Sequence, residues 1–266
     1  MRFTVSSTAL SSKLNALAKV INSKNSLPIL ADFLFDIQDN VLYLTASDSE
    51  NVINTQMELT ESDANGRFAI NNHDLLEAIK GFSEQPITFD VNLQDNIAKI
   101  SYQNGLFSLP VENADEYPQS QPITEGINTI VMPSNVLADN INRSLFATAQ
   151  DELRPVMNGI YFDFTPEHLA VVASDGHKLV RNKVFTVQSE QPASFILPKK
   201  PAGLLKNLLQ KDGGDVEIKF NERNAEINYG DGRLSCRLIE GRYPNYNSVI
   251  PQNNTNTLTV DRLALL

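Results

Sequence analysis

The sequence contains few of the residues and segments that mark secreted or membrane proteins. Its one cysteine, Cys236, cannot form an internal disulfide, and the N-terminus lacks the apolar core of a secretory signal. There is no run of about 18 apolar residues, so we expect no transmembrane helix. These absences predict a cytoplasmic protein that does not associate with a membrane.

Histidine is also scarce, and its few positions bear on catalysis and metal binding. The three histidines are His73, His168 and His177. They lack metal-ligand spacing with the cysteine or with one another, so the sequence predicts neither a metal site nor a cofactor. Asp175 and His177 could be two members of a hydrolytic triad, but no Gly-x-Ser-x-Gly motif accompanies them. A non-catalytic protein is therefore favoured, and a hydrolase that uses these two residues is the alternative.

Acidic residues outnumber basic ones, which gives a formal net charge of −10. A nucleic-acid-binding protein usually carries a basic footprint, so this total argues against such a partner. Net charge, however, sums over the whole surface. A protein that is acidic outside and basic along one face would have the same total, so the placement of lysine and arginine matters more.

An internal repeat organises the chain. Ala46-Ser47-Asp48 recurs as Ala173-Ser174-Asp175, at an offset of 173 − 46 = 127 residues. Without a gap, the same offset pairs Phe35 with Phe162, Asp36 with Asp163, and Leu42 with Leu169. Near the end of each copy, Tyr117-Pro118 pairs with Tyr243-Pro244 after a slip of one residue. The sequence therefore predicts two tandem copies of one structural unit.

Each copy has the same pattern of apolar residues and turn residues. A short strand precedes a helix, in which Leu10, Leu14, Leu17 and Ile21 recur every three or four residues. We expect Ser6 or Ser7 to cap this helix and Ser134 to cap its equivalent. Further strands and a second helix follow, at 72–82 in the first copy and 199–210 in the second. The predicted fold class is α+β, with two helices packed on antiparallel sheets in each copy.

The last residues begin the pattern once more. Leu258-Thr259-Val260 resembles Phe3-Thr4-Val5 at about twice the repeat offset. We expect it to be the opening strand of a third copy and the chain to be part of a three-copy protein. The predicted domains are residues 1–125, 126–254 and the start of a third domain at 255–266.

Several motifs resemble the bacterial DNA polymerase III beta subunit, the sliding clamp family. They are Met1-Arg2-Phe3-Thr4-Val5, Leu27-Pro28-Ile29-Leu30, Asn158-Gly159, Ala173-Ser174-Asp175-Gly176-His177-Lys178-Leu179, and Glu240-Gly241-Arg242-Tyr243-Pro244-Asn245-Tyr246. The resemblance implies three processivity-fold domains per subunit and a ring of two subunits, with helices lining the hole. It also implies a function: encircling double-stranded DNA without sequence preference and conferring processivity on the replicative polymerase, with no catalysis by the clamp itself.

The ring implies that basic residues on the helices face DNA phosphates. The candidates are Lys13, Lys19, Lys24, Lys80, Arg143, Lys199, Lys200 and Lys206. The family has a basic residue at the position of Lys24. The alternative is that these are ordinary solvated helix charges, as they would be in a scaffold of tandem domains that does not bind DNA.

The resemblance also implies a pocket for a short hydrophobic peptide. Its partners would be the polymerase III alpha subunit, the clamp loader and repair proteins that carry a clamp-binding motif. Its residues here are Arg154, Met157, Ser174, Gly176, His177, Lys178, Leu179, Pro244, Tyr246 and Val249. Two positions depart from the family, which often has leucine at Met157 and arginine at Ser248. The full-length protein is expected to be a homodimer, and the present chain a monomer.

Overall fold

The computed structural model describes residues 1–22, 27–118, 122–151, 153–209 and 213–266. Seventeen strands and five helices are formed by these residues. They build two similar units in tandem, and neighbouring strands within the sheets are antiparallel. The α+β class and the antiparallel sheets predicted from the sequence are confirmed.

The described residues of the first unit form nine strands and two helices. In chain order they are β1 (Arg2–Ser6), α1 (Ser7–Leu17), β2 (Asp32–Gln38), β3 (Val41–Ser47), β4 (Asn51–Glu58), β5 (Glu61–Ser62), β6 (Gly66–Asn71), α2 (Asn72–Ile79), β7 (Pro86–Asn92), β8 (Ile97–Tyr102) and β9 (Gly105–Glu112).

The second unit contains eight strands and two helices, and a short helix follows it. In chain order these are β10 (Asn128–Pro133), α3 (Ser134–Ser144), β11 (Gly159–Phe164), β12 (Leu169–Ser174), β13 (Leu179–Val184), β14 (Ala193–Pro198), α4 (Lys199–Leu208), β15 (Asp215–Phe220), β16 (Asn224–Tyr229), β17 (Gly232–Arg237) and α5 (Arg262–Leu265).

The two units keep the repeat register found in the sequence. Helices α1 and α3 begin at Ser7 and Ser134, and β3 and β12 end at Ser47 and Ser174, so both pairs differ by the 127-residue offset. The predicted repeat is confirmed at the level of whole elements. Helix α1 is shorter than its apolar stripe indicated, because it ends at Leu17 and not near Ile21.

The predicted cap of α3 is wrong, whereas the cap of α1 is confirmed. The Ser6 hydroxyl accepts a hydrogen bond from the Ala9 amide at 3.2 Å, as an N-cap does. Ser134 is instead the first residue of its helix, and its hydroxyl donates to the carbonyl of Gly213. The equivalent Ser7 makes the matching bond, to the carbonyl of Ser83 at 2.9 Å. Both serines therefore tie a helix start to the loop before a sheet strand.

Phenylalanines on alternating strand positions stack on one another within the core of each unit. In the first unit Phe3 stacks on Phe89 with ring centroids 4.8 Å apart, and Phe35 stacks on Phe68 at 5.0 Å. In the second unit Phe162 stacks on Phe195 at 4.8 Å. Cys236 is buried in β17, and burial raises the pKa of its thiol to about 12.

The units are joined by backbone pairing between β4 and β17. Residues 51–55 of β4 pair antiparallel with residues 232–236 of β17, so that sheets of both units merge into one of 13 strands. The facing residues Ile53 and Leu234 are both buried, so one face of the paired strands is covered by the core. Helix α1 packs on β4 and α4 packs on β17, so both helices lie on that same side.

Two lysines bridge the units beside this strand pairing. Lys13 of α1 pairs with Asp231, in the turn before β17, and also donates to the Thr55 hydroxyl at 3.2 Å. Lys200, at the start of α4, pairs with Asp48 and donates to the carbonyl of Val20 at 2.8 Å. We call the region formed by β4, β17 and these two ion pairs the joint.

The tail does not form the predicted strand. Leu258 and Val260 are exposed and pair with none of the described strands, and one helical turn follows at Arg262–Leu265. A strand without a neighbour leaves its backbone groups unpaired, so it is not formed in isolation. Elsewhere in the described ranges, no helix combines the length and the apolar character that a membrane crossing needs.

The joint predicts an asymmetry between two equivalent aspartates. The Asp48 side chain is 8% exposed, accepts two backbone amides and pairs with Lys200. We expect Asp48→Asn, which removes only the charge, to lower the free energy of unfolding by about 1 kcal/mol, and Asp48→Ala to lower it by about 2–3 kcal/mol. Urea denaturation followed by circular dichroism measures both.

Asp175→Asn is the matched control, because Asp175 occupies the same turn position in the second unit but pairs with the half-exposed Lys178. Because solvent screens that pair, Asp175→Asn should lower the free energy of unfolding less than Asp48→Asn does. Equal effects of the two asparagine substitutions would show that the Asp48–Lys200 pair does not stabilise the joint.

Candidate functional site

The turn between β12 and β13 is fixed by Asp175. One carboxylate oxygen of Asp175 accepts the amides of His177 and Lys178 at 3.0 and 2.9 Å, and the Lys178 ammonium pairs with the other. The Lys178 side chain and the two amides hold the pKa of Asp175 well below its usual range. Gly176 has φ +89°, and a Cβ there would lie 3.1 Å from Nη1 of Arg154. The glycine thus satisfies both the turn and the close approach of Arg154.

Residues 241–249, here called the strap, cross the outer side of the four-stranded sheet β13-β12-β11-β14. Tyr243 is buried and stacks on Tyr161 with ring centroids 4.7 Å apart and an interplanar angle of 1°. The Tyr246 hydroxyl donates to Asp163 at 2.8 Å. Burial raises the pKa of Tyr243 to about 12, and burial together with Asp163 does the same for Tyr246. These contacts hold the strap at a fixed distance from the turn.

The turn, the strap and a 3-10 helix at Pro155–Met157 surround a cavity of about 280 Å³. Its lining is Met157, Ser174, Gly176, His177, Lys178, Leu179, Tyr243, Pro244, Asn245, Tyr246 and Val249. Met157 is buried at the base, whereas His177, Lys178 and Val249 are exposed at the rim. An apolar base with a polar rim suits an apolar side chain that is followed by polar backbone.

Every residue predicted for the pocket lines this one cavity except Arg154, which is not part of the lining. The Nε of Arg154 donates to Asp151 at 2.8 Å, and its guanidinium lies against Gly176. This hydrogen bond lowers the pKa of Asp151. The sequence did not predict Tyr243 and Asn245 as lining residues, although both lie in the motif at 240–246 that resembles the clamp family. We refer to this cavity as the Met157 pocket.

The hydrolase alternative is not supported by the geometry of the turn. A catalytic dyad needs the carboxylate to hold the imidazole in position. Asp175 instead accepts from backbone amides and from Lys178, and among the described residues no hydrogen bond joins it to the His177 ring. His177 is exposed at the cavity rim, where it would meet a ligand that enters the pocket.

The predicted DNA-facing residues fall into distinct environments. Lys13 and Lys200 are engaged in the joint, and Lys80 pairs with Glu77 at 3.0 Å. Lys199 is half-buried, and burial and the neighbouring Lys178 lower its pKa. Exposed positions without an ion pair to any described acidic residue are held by Lys19, Arg143 and Lys206. Lys24 lies outside the described residues.

Two family models match the chain, one on each unit. The model of the DNA polymerase III beta subunit N-terminal domain matches residues 1–121, and that of the central domain matches residues 131–245. Among curated proteins, the beta sliding clamp of Haemophilus influenzae is 28% identical over 255 residues, which covers 96% of this chain and 69% of the relative. That of Halalkalibacterium halodurans is 26% identical and is covered to 72% of its length.

Solved structures of sliding clamps have the same fold. The Pseudomonas aeruginosa clamp bound to griselimycin superposes with a TM-score of 0.89 at 24% identity, over 96% of this chain and 69% of that one. The Helicobacter pylori beta clamp bound to a DNA ligase peptide gives a TM-score of 0.86 at 23% identity, with 96% and 71% covered. The family models on both units and this shared architecture establish that the chain belongs to the DNA polymerase III beta subunit family, the bacterial sliding clamps.

Proposed function

We propose that this protein confers processivity on the replicative DNA polymerase by encircling duplex DNA in the cytoplasm, without catalysing a reaction itself. In this proposal residues 1–125 and 126–254 are the first two clamp domains, and residues 255–266 begin a third. Two three-domain subunits would close into a ring, and the pocket would dock the polymerase alpha subunit, the clamp loader and repair proteins.

The observation that carries this proposal is the strand pairing at the joint. It merges the sheets of two repeated units while keeping α1 and α4 on one side. The same kind of edge recurs at both ends of the pair. Among the described strands β13, the repeat equivalent of β4, pairs only with β12, and β9, the equivalent of β17, pairs with β6 through just two residue pairs. A head-to-tail contact of this kind closes into a ring when its rotation permits.

The helices supply the cations that a phosphate-lined path requires. Lys19, Arg143 and Lys206 are exposed and free of described ion pairs, so their charges are available to phosphate oxygens. Contacts to phosphate carry no sequence information, which suits a protein that slides. Lys13 and Lys200 are weaker candidates than the sequence indicated, because an aspartate already neutralises each one in the joint. We retain Lys24, Lys80 and Lys199 as proposed contacts, since the Lys80–Glu77 pair is exposed to solvent and is therefore weak.

The Met157 pocket supports a role in docking partners. Met157, Leu179 and Pro244 supply apolar walls, and methionine adapts to ligands of different shape. The solved Helicobacter pylori beta clamp is bound to a DNA ligase peptide. We propose that the Met157 pocket binds ligands of the same class, peptides from partner proteins. The remaining wall of the pocket would come from the third clamp domain.

Topological retention gives the first test of this function. We expect a chain that includes the third clamp domain, loaded with clamp loader and ATP, to remain on nicked circular DNA and to slide off linear DNA. The 266-residue chain should sediment as a monomer and be retained on neither. Sedimentation of the free chain measures its oligomeric state, and gel filtration in the presence of each DNA measures retention. Equal binding to circular and linear DNA, with a steep dependence on salt, would identify an ordinary electrostatic binder and refute the ring.

The pocket gives the second test. Leu179→Ala removes most of an apolar wall, and burying a leucine contributes about 1.5–3 kcal/mol, so we expect a fluorescein-labelled peptide from the polymerase alpha subunit to bind at least about tenfold more weakly. Fluorescence polarisation of the three-domain chain measures this. Leu93→Ala, which truncates an exposed leucine outside the pocket, is the control and should leave the affinity unchanged. Equal affinities in both variants would exclude the Met157 pocket as the docking site.

A further inference from the structure

The turn that forms one wall of the Met157 pocket occurs twice with the same geometry. In the first unit one oxygen of Asp48 accepts the amides of Glu50 and Asn51 at 3.1 and 2.7 Å, as Asp175 does two residues and three residues ahead. Ser49 has φ +80°, close to the +89° of Gly176. The turn from Ser47 to Val52 is therefore a structural copy of the turn from Ser174 to Leu179.

The other walls of the pocket are also repeated. A cavity of about 290 Å³ lies beside the first turn, and its lining includes Pro118 and Ile123. These residues stand 126 positions before Pro244 and Val249 (244 − 118 and 249 − 123), which line the Met157 pocket. From the first unit the cavity is lined by Ser47, Ser49, Glu50, Val52, Pro118 and Ile123. We call this cavity the joint pocket.

The joint pocket has its second wall within this chain. That wall consists of residues on β16 and β17, including Glu226, Ser235 and Arg237. Since β17 pairs with β4, the second unit supplies this wall of the cavity. Both halves of the joint pocket are therefore present without any further domain.

The charged residues at the rim differ from those of the Met157 pocket. His177 and Lys178 of the second turn are replaced in the first turn by Glu50 and Asn51. Arg237, the one described basic residue in the lining, lies with its guanidinium 3.4 Å from Glu240, outside the cavity lining. A ligand that suits the Met157 pocket would therefore meet a different electrostatic environment here.

Of two buried polar groups in the second wall, one lacks a charged partner and the other lacks a hydrogen-bonding partner among the described residues. Glu226 is 9% exposed and accepts the Ile123 amide at 3.2 Å, yet it has no ion pair with a described basic residue. The Ser235 hydroxyl is buried without a hydrogen-bond partner among the described residues. A buried carboxylate that lacks a cation is costly, and an unpartnered hydroxyl adds to that cost. Both groups line the cavity, so a ligand in it could satisfy them.

We propose that the joint pocket is a second peptide-binding site, and that its ligand is a protein segment with an apolar side chain next to a lysine or arginine. The apolar side chain packs against Val52, Pro118 and Ile123. The cation pairs with Glu226 and Glu50, and the segment's backbone completes the hydrogen bonding of Ser235. This site is independent of the Met157 pocket, because the two cavities share no lining residue.

An NMR titration of the 266-residue chain tests the proposal. The probe is the capped tripeptide acetyl-Leu-Lys-Leu-amide, and its charge-reversed partner is acetyl-Leu-Glu-Leu-amide. We expect the lysine peptide to shift the amide signals of Glu50, Ile123 and Glu226 and to bind there at least about tenfold more tightly than the glutamate peptide. The amides of His177 and Val249 report the Met157 pocket separately, so the two sites are distinguished in one experiment.

Substitutions locate the charge. Glu226→Gln keeps the acceptor for the Ile123 amide and removes the charge, so it should weaken the lysine peptide about tenfold. Glu50→Lys lies on the exposed rim, where it does not endanger folding, and should remove the preference for the lysine peptide. Glu167→Gln, at an exposed glutamate outside the lining, is the matched control and should change neither affinity.

Three outcomes would overturn the proposal. The first is that the joint-pocket amides do not shift at 10 mM peptide, a concentration of the order at which weak millimolar contacts become visible. The second is equal affinity for the two peptides. The third is that magnesium chloride alone reproduces the shifts, which would identify a simple cation site. If the first outcome comes with shifts at His177 and Val249, the Met157 pocket remains supported.

Discussion

Backbone pairing between β4 and β17 is the contact on which the rest of this structure depends. It fixes the register between the two units, since Ile53 faces Leu234 and cannot slip by one residue without exposing both. The same register brings Lys13 to Asp231 and Lys200 to Asp48. The pairing also forms the joint pocket, because the first unit supplies one wall of that cavity and the second unit supplies the other.

The turns that begin at Ser47 and Ser174 share a backbone geometry but differ in their side chains. Asp48 and Asp175 hold equivalent turns with the same hydrogen bonds, so their role in both turns is structural. The residues that follow them face the cavities and differ in charge, with Glu50 in one unit and His177 in the other. The duplicated fold thus has two cavities of similar volume, about 290 and 280 Å³, with different charged residues in their linings.

Much of the fold could be predicted because its determinants are local. The spacing of apolar residues predicted the second helix of each copy, with bounds within a few residues of those observed, and the repeat predicted the same order of elements in both copies. The pocket residues could be predicted through the motifs around Gly176 and Pro244. Tyr243 was missed because its burial depends on stacking against Tyr161, a contact between distant strands that no local pattern encodes.

The sequence by itself determined the two repeats, their secondary structure and the family to which the motifs point, since each rests on residues that are near one another in the chain or at a constant offset. Only the tertiary structure decided which lysines are available to a ligand. Lys13 meets Asp231 across 218 residues and Lys200 meets Asp48 across 152, so their neutralisation follows from the register of the joint. Ion pairs of this kind depend on where two folded units meet, and composition or periodicity carries no record of that contact.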